Sequence, residues 1–268
     1  MSGWWMARVW RGWAGLGLCL ALLSILGMAQ AEPLYIQRAE AAQPTEEALA
    51  KAEKQVREHR DITLREDLKV PPFHKRLENP VKQGEAFCQG CHLPLPHTEK
   101  LRTRAFLNMH SRYLACETCH FRPKDARFDY RWLDYTSWLP APHAQRFRTG
   151  TQTDNAKPLE GGTKVAPFQA GEPAIAQPRS PFADKVAREW KDSDLPGKAR
   201  LKARLHAPLE KEGPDCAACH VERQPMLDLQ ALGASPEQAR AIERHVLPQF
   251  FARYREDDER LKIIDILR

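Results

Sequence analysis

Apolar positions recur at helical spacing in only a few stretches of this chain. The segment after Glu32 is polar as far as Pro44. Thr45 then opens a helix expected to run to about Arg60, with Ala48, Leu49, Ala52 and Val56 on one face and His59 near it. From Lys198 a basic helical segment leads to His206. Ser235-Pro236-Glu237-Gln238 predicts a helix start, with serine as N-cap, proline in the first turn and glutamine placed for a capping box. Ala239, Ile242 and Val246 line that helix until Pro248, and a last helix carries Leu261, Ile264 and Leu267. Between Thr136 and Gly197, eight prolines together with Gly150, Gly161, Gly162 and Gly171 interrupt any period. Residues 136–197 therefore read as a Pro/Gly-rich linker or long loop. A structureless stretch of that length is uncommon in a compact domain, so it is either functional or a hinge between modules. Alternation of strand type is weak throughout.

The first 31 residues read as a signal peptide. Arg8 and Arg11 form the positive start, the stretch from Trp13 to Met28 carries no charge, and Ala29-Gln30-Ala31 is a small-x-small cleavage signal that makes Glu32 the first mature residue. The alternative is an uncleaved anchor, because the charge-free run from Gly12 to Ala31 reaches the length of a bilayer span. Cys19 is a poor lipoprotein site, since Leu18 precedes it and the apolar run continues beyond it.

Composition changes the picture in two ways. Of the seven tryptophans, Trp4, Trp5, Trp10 and Trp13 leave with the signal, so the mature chain is thin in large apolar groups for its length. The formal charge of +6 falls to +4 without Arg8 and Arg11, which on its own gives little support to nucleic-acid binding.

The cysteines carry the chemistry. Apart from Cys19, six of the seven form three pairs, each followed at once by histidine: Cys88-Gln89-Gly90-Cys91-His92, Cys116-Glu117-Thr118-Cys119-His120 and Cys216-Ala217-Ala218-Cys219-His220. This is the attachment pattern of c-type haem. Two thiols add to the vinyl groups on one porphyrin edge, and the adjacent imidazole becomes the proximal iron ligand. Zinc also uses paired thiolates, but three pairs do not divide into four-thiolate sites. Redox dithiols need no trailing histidine. With 10 histidines in the chain, three such placements by chance come to about 1 in 20,000. Export agrees with haem attachment, which takes place outside the cytoplasm. Three haems, each with two propionates and an iron centre that is net positive only when ferric, would bring the mature protein to roughly +1 oxidised and −2 reduced.

On these pentapeptides and the scattered further histidines, the chain resembles the multihaem cytochromes c, in outline over roughly residues 71–223 and without matching one subfamily. The resemblance implies a haem-organised fold with few strands, low-spin iron with two histidine ligands, and closely spaced haems passing single electrons. The expected fold is therefore mainly α and irregular, with little or no β-sheet. The expected organisation is a signal at 1–31, a polar segment and helix at 32–70, a dihaem module at 71–135, the linker at 136–197, and the third haem site with C-terminal helices at 198–268.

Seven histidines lie outside the motifs, and three would complete the irons. His97 is only five residues beyond His92, too close to reach round its own ring, so it is expected to serve a neighbouring haem. A histidine upstream of its motif is better placed to cross the distal face. His110, His206 and His74 stand six, ten and fourteen residues before Cys116, Cys216 and Cys88. His245 follows these, then His59 and His143, with Met226 and Met109 as thioether alternatives. The iron-ligand candidates are thus His92, His120 and His220 with His110, His206, His74 and His97.

Electron transfer is the first functional expectation, with no catalytic residue assigned and redox proteins as partners, a membrane-bound quinol oxidoreductase or a terminal reductase among them. The alternatives are a haem enzyme with one five-coordinate iron, most simply at the third motif near Lys202, Arg204 and Lys211, and an anchored quinol-oxidising cytochrome. The expected location is periplasmic, or membrane-anchored facing the periplasm if the N-terminal segment stays.

Overall fold

The computed structural model describes residues 32–58, 86–93, 95–98, 103–141 and 162–253. The segment expected to be a signal, His59, His74, His143 and the helix expected around Leu261 lie outside the described residues. In chain order the helices are α1 (Leu34–Ala41), α2 (Glu46–Glu58), a short 3-10 turn (Phe87–Gly90), α3 (Arg104–His110) and α4 (Cys116–His120). Four strands follow: β1 (Asp129–Asp134), β2 (Leu139–Pro140), β3 (Thr163–Gln169) and β4 (Glu172–Pro173). Then come α5 (Pro181–Asp192), α6 (Leu195–His206), α7 (Cys216–Cys219), α8 (Pro236–Glu243) and α9 (Val246–Arg253).

The strands pair antiparallel in the order β2-β1-β3-β4, with Trp132 opposite Val165 and Leu133 opposite Lys164. This corrects the expectation of a mainly α and irregular fold with little or no β-sheet: the fold is mixed. The physical reason lies in β3. Every residue from Thr163 to Phe168 is buried, so both faces are covered and the polar-apolar alternation of a half-exposed strand never appears.

The linker expectation is corrected for the same stretch, since the described part of 136–197 holds β2, β3, β4 and α5. Its prolines do not act as breakers. Pro181 opens α5 behind the N-cap Ser180, whose hydroxyl accepts from Ala183 N–H, and Pro196 sits in the first turn of α6 behind Asp194. At the β3–β4 turn, Ala170 and Gly171 have φ of 50° and 89°, the left-handed pair that a tight two-residue hairpin requires.

The sheet holds the cysteine motifs from both faces. On one face Leu133, Tyr135, Ala166, Phe168 and Ile175 enclose Ala86 and Ala115, the residues just ahead of the first and second motifs. On the other, Trp132 and Val165 pack on Leu227 and Leu232, beyond the third motif, with Cys219 at the margin. Trp132 Nε1 donates to Leu232 O at 2.8 Å. Helix α1 adds Tyr35, whose ring meets the edges of Phe87 and Phe121 and whose hydroxyl donates to Leu205 O at 3.0 Å. Helices α2 and α6 meet through the small side chains Ala52, Ala199 and Ala203, which let the backbones approach. The expected capping box at Ser235 and Gln238 is present.

Leu133 is fully buried at the centre of the sheet. Leu133→Ala is expected to cost about 2–5 kcal/mol in denaturant unfolding; a loss below about 1 kcal/mol would contradict the placement of the core on this sheet.

Candidate functional site

Each Cys-x-x-Cys-His run forms a single helical turn. His92 N–H donates to Cys88 O and His220 N–H to Cys216 O, both at 2.9 Å. A turn of this kind brings residues three apart to one side, so both thiols of a motif point the same way. Motif two is pinned to the sheet: Ala115 N–H and the Thr118 hydroxyl both donate to Val165 O, at 2.9 and 2.8 Å.

None of the six motif cysteines forms a disulfide. Burial, with Cys116 adding to it, pushes Cys119 up to about 11. Burial first, then Cys119 and Cys216, pushes Cys219 up to about 12. Among the described residues no three His, Cys, Asp or Glu side chains converge on one metal position, which the zinc alternative would need.

What the fold does bring together is histidine with histidine. His92 faces His206 with ring centroids 5.8 Å apart, His120 faces His97 at 6.3 Å, and His220 faces His110 at 6.1 Å. Two imidazole nitrogens each about 2.0 Å from one metal, with about 1.1 Å more to each ring centre, give ~6 Å. The ring planes are near-parallel in the His97–His120 pair, at 19°, and steeply crossed in the others, at 67° and 89°.

The hydrogen bonds fix the tautomer. Nδ1 of His120 lies 2.9 Å from Glu210 O, that of His220 2.8 Å from Ile242 O, that of His110 2.7 Å from Phe106 O, and that of His206 2.8 Å from Lys202 O. A carbonyl only accepts, so in each ring Nδ1 carries the proton and Nε2 keeps its lone pair. Nδ1 of His97 meets Asn108 Oδ1 at 3.2 Å. His245 is the opposite case: its Nδ1 accepts from Leu247 N–H at 3.3 Å, so in the neutral ring Nε2 bears the proton. Five of the six paired rings thus have the form of a metal ligand, and His245 has not. Burial foremost also lowers the pKa of His92, His97, His206 and His220, which keeps the imidazoles neutral as a metal requires.

The pairing is crossed. His110 and His206 do not sit over the motifs that follow them in sequence: His110 meets the third motif and His206 the first. His97 sits against the second. Lys202, considered beside the third motif from the sequence, lies near Cys91 and His92, and Arg204 is paired with Glu189. Met226 packs with Leu227 and Leu232, and Met109 is exposed. Phe121, Trp132 and Tyr135, which follow the second motif in sequence, are core residues.

The donor set fits covalently held haem. Two protein nitrogens leave four positions in a plane for a porphyrin, and two thiols stand beside one nitrogen of each pair. Electrostatic influence on their thiols places Cys88 near Cys116 and Cys219 near Cys119.

Two residues in this region escape a reading of the sequence. Asn108 holds His97, and Glu117, only 2% exposed, accepts from the Cys88 thiol at 3.3 Å. Neither carries a local signal: asparagine in a helix and glutamate inside a Cys-x-x-Cys are both ordinary surface residues. Comparison of the chain with protein-family models, with curated proteins and with solved structures gives no match.

Burial above all holds the Glu117 carboxyl above its ordinary value of 4.5, opposed by hydrogen bonds from its backbone and Cys88. The folded chain therefore keeps a proton that the unfolded chain releases, and stability from this group falls as pH rises through the window above 4.5. Glu117→Gln is expected to remove that slope, because the amide does not titrate. Denaturant unfolding of both proteins from pH 4 to 8 checks this, and a parallel pair of curves would contradict it.

Proposed function

We propose that the chain is an exported triheme cytochrome c that passes single electrons between redox partner proteins. Cys88 and Cys91, Cys116 and Cys119, and Cys216 and Cys219 would hold the three haems as thioethers. Their irons would take His92 with His206, His120 with His97, and His220 with His110. When bound, the haems supply one-electron redox centres. The observation that carries this reading is that every motif histidine faces a second histidine at the separation a shared metal requires.

The residues around these pairs support it. Leu93, Leu95, Leu107 and Met109 are exposed apolar side chains, and they flank His92 and His110 in the chain. Apolar groups so placed suit a porphyrin face that would cover them. An iron that works on a small molecule needs an open axial position, and the three facing pairs weigh against one. The protein's part is then to set ligation, burial and spacing rather than to bind substrate.

Spectra of protein matured with haem test the proposal. Near-parallel imidazole planes split the iron d orbitals they π-bond with, whereas crossed planes leave them nearly degenerate. Ferric EPR is expected to show one rhombic low-spin signal and two strongly anisotropic large-g signals, with three haem masses and no carbon monoxide binding. His97→Ala, His110→Ala and His206→Ala are each expected to open one haem to carbon monoxide, and His245→Ala none. A high-spin, ligand-binding haem in the parent protein would overturn the carrier role.

A further inference from the structure

Helix α3 serves two sites at once. His110, on its last turn, faces His220. Asn108, two positions earlier and so pointing to a different side, makes three contacts with His97. Its Oδ1 accepts from His97 N–H at 3.0 Å and lies 3.2 Å from His97 Nδ1, and its Nδ2 donates to His97 O at 2.9 Å. These contacts leave no freedom in the amide. The backbone N–H of His97 only donates and its carbonyl only accepts, so oxygen and nitrogen of Asn108 cannot be exchanged. The ring nitrogen beside Oδ1 must therefore carry a proton, which leaves the lone pair of the neutral His97 ring on Nε2, in the pair that this ring forms with His120.

We propose that Asn108 is the positioning residue that makes His97 the distal ligand of the second haem, an inference that rests on the electron-transfer reading above. The other distal candidates use backbone carbonyls of their own helices: His110 on Phe106 O and His206 on Lys202 O, each four residues back. His97 has no helix of its own, standing in a short irregular segment, and a side chain does the work that a helical carbonyl does for the others. A hydrogen bond from Nδ1–H to an amide oxygen raises the basicity of Nε2 and favours ferric iron. It also ties ligation at the second haem to the helix that ligates the third.

The near-parallel planes of this pair make its EPR signal distinguishable from the other two, so the test is site-specific. Asn108→Leu removes the acceptor and the donor. The result expected in haem-loaded protein is loss of the rhombic signal with both large-g signals kept, and carbon monoxide binding at one haem in three. Asn108→Asp keeps the acceptor and adds charge, so the rhombic signal is expected to persist while the midpoint potential of that haem alone falls. An unchanged rhombic signal and three unchanged potentials in Asn108→Leu overturn the proposal. If that variant yields no holoprotein, an Asn108→Asp protein with all three potentials at their parent values overturns it. Parent protein that lacks three haems or shows no low-spin signals defeats the electron-transfer reading itself, a different outcome from either of these.

Discussion

The arrangement depends on histidine side chains brought together in pairs, with ring centroids 5.8, 6.3 and 6.1 Å apart. Carbonyl groups of Phe106, Lys202, Glu210 and Ile242 engage Nδ1 of His110, His206, His120 and His220, which leaves Nε2 of each ring as the nitrogen suited to a ligand role. A metal between the two rings of a pair would be held by both. Burial, which lowers the basicity of four of these histidines, works in the same direction by disfavouring the imidazolium that would compete with metal.

Crossed pairing makes each site a long-range contact. The first motif takes its second histidine from the end of α6, and the third takes its own from α3, both over more than a hundred positions of chain. Glu210 O, just beyond α6, receives the Nδ1 proton of His120, so the strand of chain that completes the first site also orients the second. Arg122 pairs with the carboxylate of Glu210 and donates to Glu212 O at 3.1 Å, fixing that segment. The four-stranded sheet is the common support, with the first two motifs rooted on one face and the chain beyond the third packed on the other. In a chain this poor in large apolar residues, a metal held by each histidine pair would cross-link elements distant in sequence.

The three Cys-x-x-Cys-His runs are legible in the sequence because their spacing is local, and the capped helix at Ser235 is legible because capping is local. The histidine that faces each motif is half legible. His97, His110 and His206 are recognisable as candidates, but which motif each one meets depends on how α3 and α6 cross the sheet, and proximity along the chain points His110 and His206 to the wrong motifs. The sheet was missed because β3 is covered on both faces and carries Pro167 and Lys164, which read as loop residues. Lys164 is accommodated there by donating to Ser111 O at 2.7 Å, a partner no local pattern announces. The prolines between Thr136 and Gly197 were read as breakers, whereas Pro181 and Pro196 begin helices.

The most direct measurement is a crystal structure of the chain matured with haem, read at the iron-bound nitrogen atoms. Three irons bound by Nε2 of His92 and His206, of His120 and His97, and of His220 and His110 are expected. An iron with water or an empty site opposite His92, His120 or His220, or ligated by the histidine nearest upstream in sequence, would contradict the crossed pairing on which everything else rests.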